Sequence, residues 1–263
     1  MTDADEKTKQ ASYYDHEVEV EFETNRPHGA GSLYGYLMDY KFQRVQAMLD
    51  SDLAGKSVLD ICCGSGMDAE YLARAGAQVT ALDISPGAID RARARAERFG
   101  VRYELVVGDA EDLPFPDLSF DYVFVHDGLH HLPEPRVAIQ EMARVARRGL
   151  IITEPAQAAL TQMLIRIGIM KPYEDAGNFV VRFSAAELES LVVGGGFRRI
   201  RSARYLVKYG HPPPEWWRAF DTPPLFTVAK AVFQVFGVVL FGPLGNKLAF
   251  VAQRDVPIAP NQT

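Results

Sequence analysis

Between Ser57 and Pro155, short apolar runs alternate with stretches of helical period. SVLDIC, AQVTALDIS, VRYELVVGD, FDYVFVHDG and LIITEP are apolar nearly throughout and read as strands. Between them, MDAEYLARAG, SPGAIDRARARAERFG and PEPRVAIQEMARVARRG read as helices. Ser85 is placed to cap the second of these, with Pro86 at its first position and Gly100 as its stop. Upstream, Tyr34, Leu37, Met38, Val45, Met48 and Leu49 recur near the helical period. Residues 1–12 read as a polar tail, and 13–32 as a loop-like lead-in. Strands buried on both faces and separated by helices imply a parallel sheet wound on both sides.

After Glu154 the pattern loosens. An insertion with a helical front half runs over 156–183. A helix with a capping box, Ser184 to Glu187, follows it. Then come a strand ending near Tyr209, a proline-rich connection holding Trp216 and Trp217, an apolar helix over 225–241, a final strand NKLAFVAQR and a polar tail. This divides the chain into an N-terminal tail and helix (1–50), an alternating strand–helix core (51–155) and the remainder of the same domain with its insertions and final strands (156–263).

In such sheets ligands sit beyond the carboxyl ends of the strands. The loop VLDICCGSGMDAEYL turns a strand into a helix through Gly64 and Gly66, and Asp83 ends the next strand at the spacing expected of a ribose-binding acid. This combination points to a nucleoside-bearing cofactor. Gly64 to Ala69 also fits the dinucleotide G-x-G-x-x-A form, so a nicotinamide enzyme is a rival. It lacks a second signature such as Tyr-x-x-x-Lys.

VLDICCGSG, the ALDIS strand end, GDAEDLPFPDLSFDYVF and LHHLPEP together resemble the class I S-adenosylmethionine-dependent methyltransferases, in the branch of ubiquinone/menaquinone and small-molecule enzymes. The resemblance covers about residues 55–155. It implies a Rossmann-like, doubly wound, mostly parallel seven-stranded sheet with helical insertions after strands five and six. It also implies S-adenosyl-L-methionine as cofactor and S-adenosyl-L-homocysteine as product. Asp60, Gly64 and Gly66 would hold the amino-acid end, Asp83 the ribose, Ile84 the adenine face, and Asp109 with Ala110 the adenine amino group. His126 would lie near the methionine part. Cys62 stands where the family has its first loop glycine.

For the acceptor, His130 and His131 with Glu154 resemble the histidine–acid pair of sugar O-methyltransferases of this branch, so these three are the catalytic candidates. The expected reaction is methylation of a ring-containing, sugar-like or lipophilic small molecule on a hydroxyl oxygen. C- or N-methylation of a metabolite or quinone is the alternative, and a non-catalytic cofactor-binding scaffold is the rival of another class.

Composition narrows this further. The net charge of −6 gives no general attraction for nucleic acid, and TEPA stands where a nucleic-acid methyltransferase would carry Asn/Asp-Pro-Pro-Tyr/Phe. The adjacent Cys62 and Cys63 form no disulfide framework and no metal-ligand pattern, so no metal is expected. The charged N-terminus reads as cytoplasmic rather than as a secretory signal. The 225–241 helix, short of the ~20 residues of a membrane span and carrying Lys230, is expected to pack buried against the sheet or a second subunit. Peripheral membrane contact through it and a homodimer are left open.

Overall fold

The computed structural model describes residues 3–168, 171–173, 178–207 and 210–255. The end of the expected sixth strand (208–209) and the polar C-terminal tail from 256 lie outside the described residues.

Seven strands form one sheet: β1 (Ser57–Ile61), β2 (Gln78–Asp83), β3 (Glu104–Val107), β4 (Phe120–His126), β5 (Ala146–Pro155), β6 (Phe197–Tyr205) and β7 (Lys247–Arg254), in the order β3-β2-β1-β4-β5-β7-β6. The first five pair in parallel, and β7 runs antiparallel between β5 and β6. This is the mostly parallel, doubly wound sheet expected.

Strand alternation sends successive side chains to opposite faces. Leu59, Ile61, Val123, Val125, Leu150 and Ile152 enter one core, with α6 (Pro135–Val145) and α8 (Ala185–Val192). Val58, Tyr122, Phe124 and Ile151 enter the other, with α3 (Ser32–Gln46) and α4 (Met67–Arg74). α5 (Pro86–Phe99) completes the crossover from β2 to β3; Ser85 Oγ accepts from the Ala88 N–H, and Gly100 ends the helix in a left-handed turn. The Ser184 cap also forms, its Oγ accepting from Glu187 N–H.

Three expectations change. Residues 3–12 are not a tail: α1 spans Asp3–His16, and α2 (Val20–Asn25) occupies the expected lead-in loop. The polar α1 has no apolar stripe to announce it; it is held by ion pairs and hydrogen bonds to the core. The apolar helix of 225–241 is not buried against the sheet of this chain. It forms α9 (Pro223–Val232) continued by a wider-turn segment, Phe233–Leu240, and only 6% of the span is buried. In the insertion, α7 covers Ala159–Arg166.

Candidate active site

The carboxyl edge of the parallel strands floors a cavity of about 970 Å³. That is the upper end of the ~300–1,000 Å³ typical of small-molecule sites, with room for two ligands side by side. The loops after β1, β2, β3 and β4 contribute Cys62 and Gly64, Asp83 and Ile84, Asp109 and Ala110, and His126, His130 and His131. Nine of the twelve residues singled out from the sequence therefore share one cavity wall. Asp60, Gly66 and Glu154 do not lie on it.

Each of these three supports the wall from behind. Gly66 has φ +76°, and a Cβ there would meet Tyr103 Oη at 2.7 Å and Ala92 Cβ at 3.0 Å, so glycine lets α5 close on the loop. Glu154 is fully buried. Its Oε1 accepts from Gly128 N–H (2.9 Å) and Leu129 N–H (2.7 Å), and its Oε2 lies 2.7 Å from His130 Nδ1. It thus holds the loop after β4. Asp60 is buried beneath the glycine turn, and its Oδ2 has no hydrogen-bond partner. Burial, with the charges of Asp68 and Asp83, pushes its carboxyl well above the usual range.

Asp83 accepts Gly64 N–H at 2.8 Å on one oxygen and Ser85 N–H at 2.9 Å on the other. Burial raises its carboxyl above the usual range, against the pull of these two donors. The remaining lone pairs suit a vicinal diol. Asp109 Oδ1 accepts Glu111 N–H, and its Oδ2 is paired at 2.6 Å with Lys7 of α1. Lys7 is equally close to Glu111.

α1 lies across the cavity mouth. Besides Lys7, its Asp15 accepts from Ser85 Oγ (2.6 Å) and Gly87 N–H (2.8 Å). Arg91 donates to the Tyr14 carbonyl at 2.6 Å, and Tyr14 Oη stands 3.2 Å from His131 Nε2. The His131 ring packs on His130, centroids 4.2 Å apart. Glu154, His130 and His131 are thus connected, with His131 toward the cavity.

The far wall holds residues the sequence reading missed. Asp127, at φ +51°, pairs with Lys41 Nζ (3.0 Å) and Lys247 Nζ (2.5 Å). His126 lies between Asp68 (2.9 Å from Nδ1) and Asp127 (3.3 Å from Nε2). Burial lowers the His126 pKa, but the two carboxylates outweigh it and raise the pKa overall. Burial raises the Asp127 carboxyl, but Lys247, Lys41 and His126 hold it well below the usual range. A signal existed for both lysines. Lys41 occupies a position on the apolar stripe of α3, and Lys247 begins the one strand whose start lies at the carboxyl edge of the others.

Asp127, His130 and Glu154 bring ligand atoms within 4.8 Å of one another, the spacing of a metal site. Yet Asp127 already faces two ammonium groups, and Glu154 two amides and a histidine, so the donor set does not fit a divalent cation.

Comparison with known proteins agrees with this geometry. Residues 59–153 match the family described as a methyltransferase domain. A probable phthiotriol/phenolphthiotriol dimycocerosates methyltransferase of Mycobacterium ulcerans is 44% identical over 101 residues, 38% of either chain. A fatty-acid O-methyltransferase of Mycolicibacterium smegmatis is 44% identical over 101 residues, 38% of this chain and 36% of its own. A ubiquinone biosynthesis O-methyltransferase of Xanthomonas oryzae is 40% identical over 99 residues, 37% of this chain and 41% of its own. The match thus spans about two fifths of these relatives' length. In fold, the chain is similar to magnesium protoporphyrin IX methyltransferase from Synechocystis with bound S-adenosylhomocysteine (TM-score 0.61, 20% identity, 95% of this chain and 100% of that one).

An S-adenosyl cofactor fits the residues present: Asp60 Oδ2 is buried without a partner beneath the loop, and the Asp83 carboxylate faces the cavity beside it. Residues 59–153 thus match the methyltransferase-domain family, and the chain shares the fold of a solved methyltransferase.

Proposed function

We propose that the protein transfers a methyl group from S-adenosylmethionine to an oxygen of a small, lipophilic acceptor. The observation that carries this reading is the single cavity. It joins the cofactor-side acids Asp83 and Asp109 to a wall where His131, His126 and the Lys41–Asp127–Lys247 cluster meet apolar side chains of Met38, Leu164 and Val207. The names of two relatives, acting on a fatty acid and in ubiquinone biosynthesis, support an oxygen acceptor and a lipophilic molecule.

When bound, the cofactor would supply an electrophilic sulfonium methyl group. The chain's task is to align the acceptor oxygen and to manage its proton. Asp83 would hold the ribose hydroxyls and Asp109 the adenine amino group once Lys7 yields its place, while Asp60, buried beneath the loop, would attract the ammonium of the amino-acid end by its charge and not by contact. His131 takes the acceptor's proton, with Tyr14 Oη beside its Nε2. Glu154 and His130 position it and do not touch the acceptor. Lys41 and Lys247 steady negative charge as it builds on the acceptor oxygen.

The test is a radiolabelled methyl-transfer assay over fatty acids, quinols and phenols with wild type and His131→Ala. Turnover in the variant should fall about 10²–10⁴-fold with S-adenosylhomocysteine affinity unchanged. Undiminished turnover would remove His131 from the mechanism, and failure of all oxygen acceptors would overturn the acceptor class.

A further inference from the structure

The helical segment Pro223–Leu240 is built inside out. Its outward positions are apolar: Leu225, Val228, Val232, Val235, Val239 and Leu240 are all exposed, Val239 to 71%. Its longer polar side chains turn inward. Gln234 donates to Tyr36 Oη at 2.5 Å, and the Lys230 ammonium sits over the rings of Phe226 and Tyr36. Among the described residues this is the one helix long and apolar enough to cross a membrane by length and composition, with mean hydropathy 1.6. A surface helix facing water normally shows the opposite arrangement.

Two occupants could cover such a face, and the area separates them. The strip is roughly 25 Å long and 10 Å wide. Even doubled for side-chain relief, about 500 Å² falls short of the ~800 Å² per partner of a stable protein interface. A bilayer surface needs only an apolar strip that dips into the headgroup–acyl boundary. The segment does not cross, because its inner face is committed to the protein: Phe226, Ala229 and Phe233 pack with α3 residues, and Gly237 accepts the Leu206 N–H at 2.7 Å. Gly237 has no room for a Cβ, which would lie 2.7 Å from the Leu206 carbonyl. Leu206 is itself a wall residue of the cavity. With a net charge of −6, attraction to anionic lipid does not drive the contact.

We propose that the outer face of Pro223–Leu240 lies in the surface of a lipid bilayer and anchors the protein there as a peripheral protein, holding the cavity close to a membrane-dissolved acceptor. The anchoring does not depend on the methyl-transfer reading.

The experiment is flotation of the full chain with zwitterionic phosphatidylcholine vesicles, comparing wild type with a Val228→Glu/Val232→Glu/Val239→Glu variant. Thermal unfolding and S-adenosylhomocysteine binding verify that the variant is folded. Wild type should float, equally at low and high salt because apolar burial is not screened. The folded variant should lose at least about tenfold in partition coefficient, as expected when three apolar side chains no longer enter the bilayer. Exposed Trp216, next to the helix, should shift its emission to the blue only with wild type and vesicles. Wild type that does not float, or a variant that floats equally well, overturns the proposal. So does a concentration-dependent dimer, abolished by the three substitutions, in a protein that ignores vesicles; it would assign the face to a second copy.

Discussion

Replacing Asp83 by Asn changes one oxygen to an amide and leaves the shape of the side chain intact. Both carboxylate oxygens are already engaged, by Gly64 N–H at 2.8 Å and Ser85 N–H at 2.9 Å. An amide offers one acceptor and one donor, so one of these backbone donors loses its partner and meets another donor. Leaving a buried donor unsatisfied costs about 1–3 kcal/mol. Removing a buried charge whose carboxyl is already pushed upward by burial offsets part of this. The expected net loss is near the lower bound, a fall in melting temperature of roughly 2–4 °C. The effect on binding is larger. A carboxylate with two lone pairs occupied keeps two for the ribose hydroxyls, whereas the amide keeps one, without the charge. Loss of one charge-assisted hydrogen bond, about 1.5–3 kcal/mol, weakens S-adenosylhomocysteine binding by about 10–200-fold. Calorimetric titration of wild type and variant measures this directly. Affinity within twofold of wild type, in a variant that melts a few degrees lower, would show that Asp83 braces the glycine loop and does not hold the ribose.

Asp60→Asn should move stability and binding in opposite directions. Its buried carboxyl lies near Asp68 and Asp83, so neutralising it raises the melting temperature at pH 7, while loss of the charge behind the glycine loop weakens S-adenosylhomocysteine binding; calorimetry and thermal unfolding read the two together. Lys41→Met leaves Asp127 with one lysine in a buried corner and should cost about 1–3 kcal/mol by urea unfolding, with a lower rate of methyl transfer. The same cluster sets a pH window. Asp127 is depressed, so its contribution is complete above about pH 4 and fades as pH falls through its lower folded value. His126 is raised, so its contribution is complete below about pH 6.5 and fades as pH rises through its higher folded value. Melting temperatures across pH 3–9 should show both limbs, and Asp68→Asn should flatten only the alkaline one.

The sheet was legible because each strand from β1 to β5 is an uninterrupted apolar run bounded by a recognisable helix start or stop. That the loops after β1 to β4 line one cavity was legible for a related reason: their residues lie at or directly after the strand ends, so a one-dimensional rule locates them. α1 was not legible. Nothing in DADEKTKQASYYDH has an apolar stripe, and its place is fixed by Lys7, Asp15 and Tyr14, whose partners are separated from them by 70 residues or more. Periodicity read the 225–241 segment correctly as a helix, but the sheet does not bury it: its inner face packs on α3 and its outer face is left uncovered by this chain. An apolar composition records that a helix avoids water, and says nothing about whether protein or lipid replaces it. Lys41 shows a signal present but unread: a lysine interrupting an apolar stripe needs an anion within reach, and the half-buried Asp127 is that anion.

The departure at Cys62 follows from the same interlocking of loops. Cys62 adopts φ +53°, a left-handed conformation that favours glycine and costs a side chain roughly 1–2 kcal/mol. Its side chain is accommodated because Gly128, in the loop after β4, has none: a Cβ at Gly128 would lie 2.5 Å from Cys62 Cβ and 3.2 Å from its sulfur. That loop is in turn fixed by Glu154, through Gly128 and Leu129, and carries Asp127, also left-handed at φ +51°. Two strained backbone positions therefore face each other across the cavity floor, one from the cofactor loop and one from the acceptor wall, and Gly128 is the space between them. Any side chain at Gly128 would have to displace Cys62 or Val125, so the packing of the two loops rests on this one position.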